Sequence, residues 1–186
     1  MTALTTPPIF DGHNDILSVL YQSTAYPDIA AFGRSMSGHL DLMKVQAGGF
    51  AGGFFAIWVP SAIDAMAKQA MMNQPSYDLP LPPAIDIGTA LGVALAQAAL
   101  LHRLEEAGWL HICTSTSGIE TTMDAGKLAA IMHMEGAEAI DRDFVNLDMF
   151  RRAGLRSLGP VWSRPNHFGY GVPFKFPSSG DIGPGL

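Results

Sequence analysis

An intrachain disulfide is excluded at once, because the 186-residue chain holds one cysteine, Cys113. Such usage fits a reducing compartment. Charge is scarce as well: 15% of residues are charged and the net charge is −6. No run of Lys or Arg exists that could follow a phosphate backbone, which sets nucleic-acid binding aside. Long apolar runs are missing too. The stretch over residues 50–60 is too short and too glycine-rich to cross a bilayer. The opening Met-Thr-Ala-Leu-Thr-Thr-Pro-Pro lacks the basic and apolar regions of a signal peptide. The expectation is a soluble, cytoplasmic protein with no membrane partner.

Apolar residues are what the chain has in plenty. They make up 48% of it, enough for a real core and against disorder. With so little charge, part of that apolar surface is expected to be covered by something outside the chain. Residues 8–11 read as a strand after two prolines, running into Gly12-His13-Asn14-Asp15 and a helix over 16–21. Residues 22–38 read as loop, and a short helix over 39–45 ends at Gly48-Gly49. Residues 52–59 are apolar at consecutive positions, as a parallel strand covered on both faces requires. A Met/Ala-rich helix over 61–72 precedes a four-proline excursion over 73–83. Residues 84–107 form a long helix, with Ile87, Leu91, Leu95, Ala98, Leu101 and His102 near helical spacing and Gly108 as its stop. A short strand over 109–113, a small helix within 115–126 and a buried strand over 128–134 follow. A helix over 146–153 and a strand over 155–162 lead into a final loop rich in Pro, Gly and aromatics. Apolar strands alternating with helices indicate α/β architecture around a parallel sheet, open or closed. The sequence stops in a loop directly after a strand, which suggests a partial chain.

Chemistry concentrates at strand ends. His13-x-Asp15 places an imidazole and a carboxylate on one side of an extended backbone, where both could reach one metal ion. Taken alone, the pair fits better a polar cluster where strand meets loop. Glu135 closes a different buried strand, and a carboxylate there is costly to bury without a cation. In parallel β/α folds the C-terminal strand ends carry ligands. The alternative for Glu135 is a first-turn acid facing a helix dipole. His133 could share the side of Glu135, but reads more simply as a hydrogen-bonded core histidine. His39 and His102 are placed on helices as structural residues, and His111 opens toward a loop with no obvious partner. His167 lies among Arg164, Asn166, Phe168 and Tyr170, a set that would suit a pocket wall or an ordinary loop. The ten methionines read as core filling.

Other chemistries find no support. A Gly-x-Ser-x-Gly elbow is absent, and Cys113 has no flanking feature that marks a nucleophile. The glycines from Gly48 to Gly53 precede a strand and lack the Lys-Ser/Thr ending of a phosphate loop. Close backbone packing at a strand entry explains them.

Five ordered stretches resemble the membrane (renal) dipeptidase family, peptidase family M19 of the amidohydrolase superfamily. They are Asp11-Gly12-His13-Asn14-Asp15, the glycine-rich segment from Val45 to Phe55, Thr114-Ser115-Thr116-Ser117-Gly118-Ile119, Gly126-Lys127-Leu128-Ala129-Ala130-Ile131, and Met134-Glu135-Gly136. The resemblance implies a metal-dependent hydrolase on a (β/α)8 barrel of TIM type. Residues 1–186 would then be the N-terminal portion of a single barrel domain, with the C-terminal half absent. It implies two zinc ions, His13 and Asp15 on one of them, Glu135 bridging both, and a hydroxide between them attacking a dipeptide carbonyl. Family members cleave dipeptides, often with a D-residue at the C-terminal side. The remaining ligands, two histidines and a later aspartate, would lie beyond residue 186, so the isolated chain should hydrolyse nothing. One departure stands out: where known members carry a substrate-holding histidine, this chain has Trp162. Trp162, Arg164, Asn166 and His167 are therefore the candidate substrate-binding residues.

Three readings remain at this point. One is a zinc dipeptidase seen through its N-terminal part. Another is an amidohydrolase of the same family acting on a different small amide or N-acyl amino acid. The last is an inactive fragment serving as a folding or binding partner. A homo-oligomer is compatible with each.

Overall fold

The computed structural model describes residues 7–23, 29–61 and 65–178. Strands β1 (Ile9–Asn14), β2 (Phe50–Trp58), β4 (His111–Ile112), β5 (Ala129–Glu135) and β6 (Leu155–Gly159) form one parallel sheet. Helices α1 (Ile16–Ser23), α2 (Leu42–Gly48), α3 (Ala65–Met72), α4 (Ile87–Glu106), α5 (Thr116–Asp124) and α6 (Val145–Arg152) fill the connections. A second, antiparallel pair joins β3 (Tyr77–Leu79) to β7 (Phe174–Phe176).

In the main sheet β1 pairs β2 and β2 pairs β5, while β4 and β6 pair successive parts of β5. His111 and Ile112 meet Ala129 and Ala130 at the entry of β5, and residues of β6 meet Met132 to Glu135 at its exit. The described strands thus make an open five-stranded parallel sheet rather than a closed barrel. The parallel α/β order expected from the apolar runs is present.

Side-chain parity splits the sheet into two faces. Phe55, Ile57, Met132 and Met134 are buried with Leu17 and Leu20 of α1 and Ala90, Ala94, Leu101 and Leu104 of α4. That is the hydrophobic core, and burial of each large side chain there is worth about 1.5–3 kcal/mol. The opposite face carries Phe54, Trp58, His133 and Glu135, all half-buried. Helix α4 is long and apolar enough by composition to cross a membrane. Here its apolar residues serve the core, and its buried Gln97 accepts from the Trp58 N–H (3.0 Å) and donates to the Trp58 carbonyl (2.6 Å).

The glycines at the entry of β2 permit close approach, as their spacing suggested. A Cβ on Gly52 would stand 2.6 Å from the Ala129 carbonyl oxygen and 2.7 Å from the Phe10 ring.

Several boundaries differ from the sequence expectation. The helix expected over 39–45 runs over Leu42–Gly48, because Asp41 accepts from the Lys44 N–H and caps it there. His39 consequently sits in a bend before the helix, not on it. The excursion over 73–83 contains β3, and the terminal loop contains its partner β7. The strand expected over 155–162 ends at Gly159. The start of the helix expected over 61–72 falls at residues 62–64, outside the described residues.

Candidate metal centre

Three side chains from two strand ends meet at one rim of the sheet. His13 is near the end of β1, and Asp15 follows it, its carbonyl accepting from the Val19 N–H to open α1. Glu135 is the last residue of β5. His13 Nε2 lies 3.3 Å from Asp15 Oδ1 and 3.5 Å from Glu135 Oε2. One ligand atom from each of the three lies within 4.8 Å of the others. One imidazole nitrogen and two carboxylate oxygens converging in this way form a donor set that a divalent cation fits.

Electrostatics agree with that fit. Burial pushes the Glu135 carboxyl above its ordinary value; His13 opposes the shift and Asp15 adds to it. Gly136, at φ +89°, lets the chain turn sharply after Glu135, a conformation that disfavours any residue with a Cβ.

His133 lies two residues deeper on β5, its ring 5.8 Å from that of His13. It is hydrogen-bonded as expected, through Nδ1 to Ser157 Oγ at 2.9 Å, and it also faces the cluster. Burial, with the neighbouring His13, holds its pKa below the ordinary value. His102 bonds the Ala153 carbonyl (2.9 Å). His111, expected to lack a partner, lies 2.8 Å from Glu105 Oε1, a contact between α4 and β4 that sequence proximity does not reveal.

Beside the cluster stands an aromatic wall. Trp58 pairs in register with Glu135, so both side chains share a face. The Trp162 ring packs edge-on against Trp58 (6.0 Å) and Phe174 (5.8 Å). Lys68 Nζ caps the Phe174 ring at 2.9 Å from its centroid. These four residues help line a cavity of about 440 Å³. Trp58 was missed in the sequence, although its place at a strand end matches that of Glu135. A second cavity of about 520 Å³ is lined by His13, Asp15, Met36, His39 and Phe50.

The four candidate substrate-binding residues separate. Trp162 is 43% exposed and joins the wall. Arg164, expected to face substrate, is instead buried. It donates to the Val59 carbonyl (2.8 Å) and Ser61 Oγ (2.7 Å), with Glu138 Oε1 at 3.4 Å. Asn166 is also buried, donating to the Pro160 carbonyl and accepting from the Phe168 N–H. Asn166 serves polar backbone groups of the chain beyond β6, whereas Arg164 serves the Val59 carbonyl just past β2. His167 is exposed, with Nδ1 3.2 Å from the Arg142 guanidinium.

Comparisons with known proteins place the chain in a family. The family model described as membrane dipeptidase (peptidase family M19) matches residues 2–176. A crystal structure of a metallo peptidase from Rhodobacter sphaeroides, liganded with a phosphinate mimic of the dipeptide L-Ala-D-Ala, superposes with a TM-score of 0.84 at 47% identity. It covers 94% of this chain and 51% of that one. The structure of dipeptidase AC, a metallo peptidase of family M19, superposes with a TM-score of 0.82 at 47% identity, over 92% of this chain and 49% of that one. A protein of Acinetobacter calcoaceticus known as "Uncharacterized protein in PQQ-III 3'region" is 40% identical over 96% of this chain and 56% of its own length. The chain thus spans about half the length of the relatives it matches.

Proposed function

We propose, because the chain belongs to the membrane dipeptidase family, peptidase family M19, that the full-length protein is a zinc-dependent dipeptidase with a binuclear centre. In this reading residues 1–186 supply the N-terminal half of a (β/α)8 barrel, and the rest of the protein supplies the remaining strands and metal ligands. The observation that carries it is the convergence of His13, Asp15 and Glu135 within 4.8 Å at the C-terminal strand ends.

His13 and Asp15 would hold one zinc, and Glu135, with two oxygens on a rigid strand, is suited to bridge to a second. Zinc bound there supplies Lewis acidity toward a peptide carbonyl and makes water a nucleophile near neutral pH. His133, held by Ser157, sets its ring edge-on to that of His13 and helps fix the imidazole's position. Trp58 and Trp162 present ring surface beside Glu135, where they would hold the dipeptide and exclude bulk water. A dipeptide substrate is supported by the phosphinate mimic of L-Ala-D-Ala on the Rhodobacter sphaeroides relative.

The test is turnover of a dipeptide panel, D-residues included, by the full-length protein. Hydrolysis should stop on chelation and return with zinc. Turnover of N-acyl amino acids with none of dipeptides would move the protein to another small amide. No turnover of either class would favour the inactive reading.

A further inference from the structure

Arg164 is a buried cation that makes three side-chain hydrogen bonds, and nothing in the metal chemistry uses it. It lies on the segment after β6, with its side chain 5% exposed. Its guanidinium reaches the Val59 carbonyl and Ser61 Oγ, just past the end of β2. Its other arm points to Glu138, itself 7% exposed and three residues beyond Glu135. One side chain therefore joins the ends of β2, β5 and β6. Backbone bonds run in parallel: the Gly136 N–H donates to the Gly159 carbonyl (2.9 Å) and the Ala137 N–H to the Pro160 carbonyl (3.0 Å).

The planar fork of arginine suits this place, because a lysine ammonium is a point charge that cannot hold three acceptors on two elements with the same geometry. Trp162, two residues before Arg164, leans on Trp58, three residues before the side-chain acceptor Ser61. The clamp thus spans the same two strand ends that bring the tryptophan rings together. Glu138 keeps its Oε2 without a hydrogen-bond partner among the described residues.

We propose that Arg164, held by Glu138, is a positioning residue: it fixes the segment after β6 against β2 so that the Trp58–Trp162 wall stands beside Glu135. Its consequence for substrate binding rests on the dipeptidase reading above. Its consequence for the tryptophan pair does not.

The experiment uses the full-length, zinc-loaded protein and two variants, Arg164→Lys and the double variant Arg164→Met/Glu138→Met. Removing both charges avoids stranding one in the interior, so the double variant should fold, with a melting temperature lowered by the Val59 carbonyl it leaves unpaired. It should keep its zinc content and most of its kcat while KM for dipeptides rises roughly tenfold or more. The far-ultraviolet exciton couplet of the paired tryptophans should collapse. Arg164→Lys should fall between the two in KM and in couplet strength, and it decides the matter if the double variant does not fold. Wild-type KM, or an intact couplet, in a folded variant overturns the proposal. If the wild type hydrolyses no dipeptide, the functional reading fails, and the couplet still decides whether the clamp places the rings.

Discussion

At the scale of single residues, the centre depends on Glu135 more than on any other group. A carboxylate at that depth is tolerable when a cation shares it. In the full-length protein, Glu135→Gln keeps the shape but lowers the donor strength toward a metal. Turnover is expected to fall by at least about 100-fold, with a parallel loss of bound zinc measured by atomic absorption. Retention of two zincs with normal turnover would remove Glu135 from the bridging role. Asp41 offers a different kind of test, remote from the centre. Its buried carboxylate accepts from the Lys44 ammonium, the Lys44 N–H and the Met36 N–H. The Lys44 side chain leads in lowering its pKa from 3.8 to about 2. Since the folded-state value is depressed, the stabilisation is full above pH 3.8 and disappears as pH falls toward about 2. Asp41→Asn can still cap α2 but has no charge. Its melting temperature should trail the wild type by a constant margin from neutral pH down to about pH 5, and the gap should close between about pH 4 and pH 2. A gap unchanged at pH 2 would contradict the assignment.

At the scale of elements, the exit of β2 is the most specific joint. The last β1–β2 pair is Asn14 with Phe55, which leaves the Trp58 backbone without a strand neighbour on that side. Gln97 of α4 supplies both missing partners from 39 residues away. Gln97→Leu strands a buried donor and a buried acceptor, and should destabilise the fold by roughly 2–4 kcal/mol in urea unfolding. A change below about 0.5 kcal/mol would place it with ordinary surface substitutions. Joints of this kind were invisible in the sequence, where Gln97 is one polar residue on an apolar helix. The elements themselves were easier to find. Strands β2 and β5 are apolar at consecutive positions because both faces are covered or half-covered, and the long helix shows its period from Ile87 to Leu101. Strands β3 and β7 escaped notice, since three residues among prolines carry no period. The cluster of His13, Asp15 and Glu135 was legible because all three stand at strand ends. The burial of Arg164 was not legible, because its acceptors, the Val59 carbonyl and Ser61, lie more than 100 residues away in the sequence.

At the scale of the whole molecule, the described sheet has one face buried under helices and one face half-open, with β1 and β6 at its edges. Ile9 is 50% exposed and Phe10 37%, both on β1. Unpaired edges with apolar side chains recruit further strands. Under the proposal that further strands complete the barrel, residues 1–186 expressed alone should self-associate, eluting on size exclusion well above the 19.8 kDa of one chain. A monodisperse monomer of residues 1–186 would show that the edges are protected without help.

The metal centre itself is tested most directly by anomalous diffraction at the zinc edge from crystals of the full-length protein. The account predicts a peak within zinc–ligand distance, about 2.0–2.2 Å, of His13 Nε2, Asp15 and Glu135 together, and a second peak on the other oxygen of Glu135. Peaks that leave Glu135 without a metal, or no peak at His13 and Asp15, would contradict it.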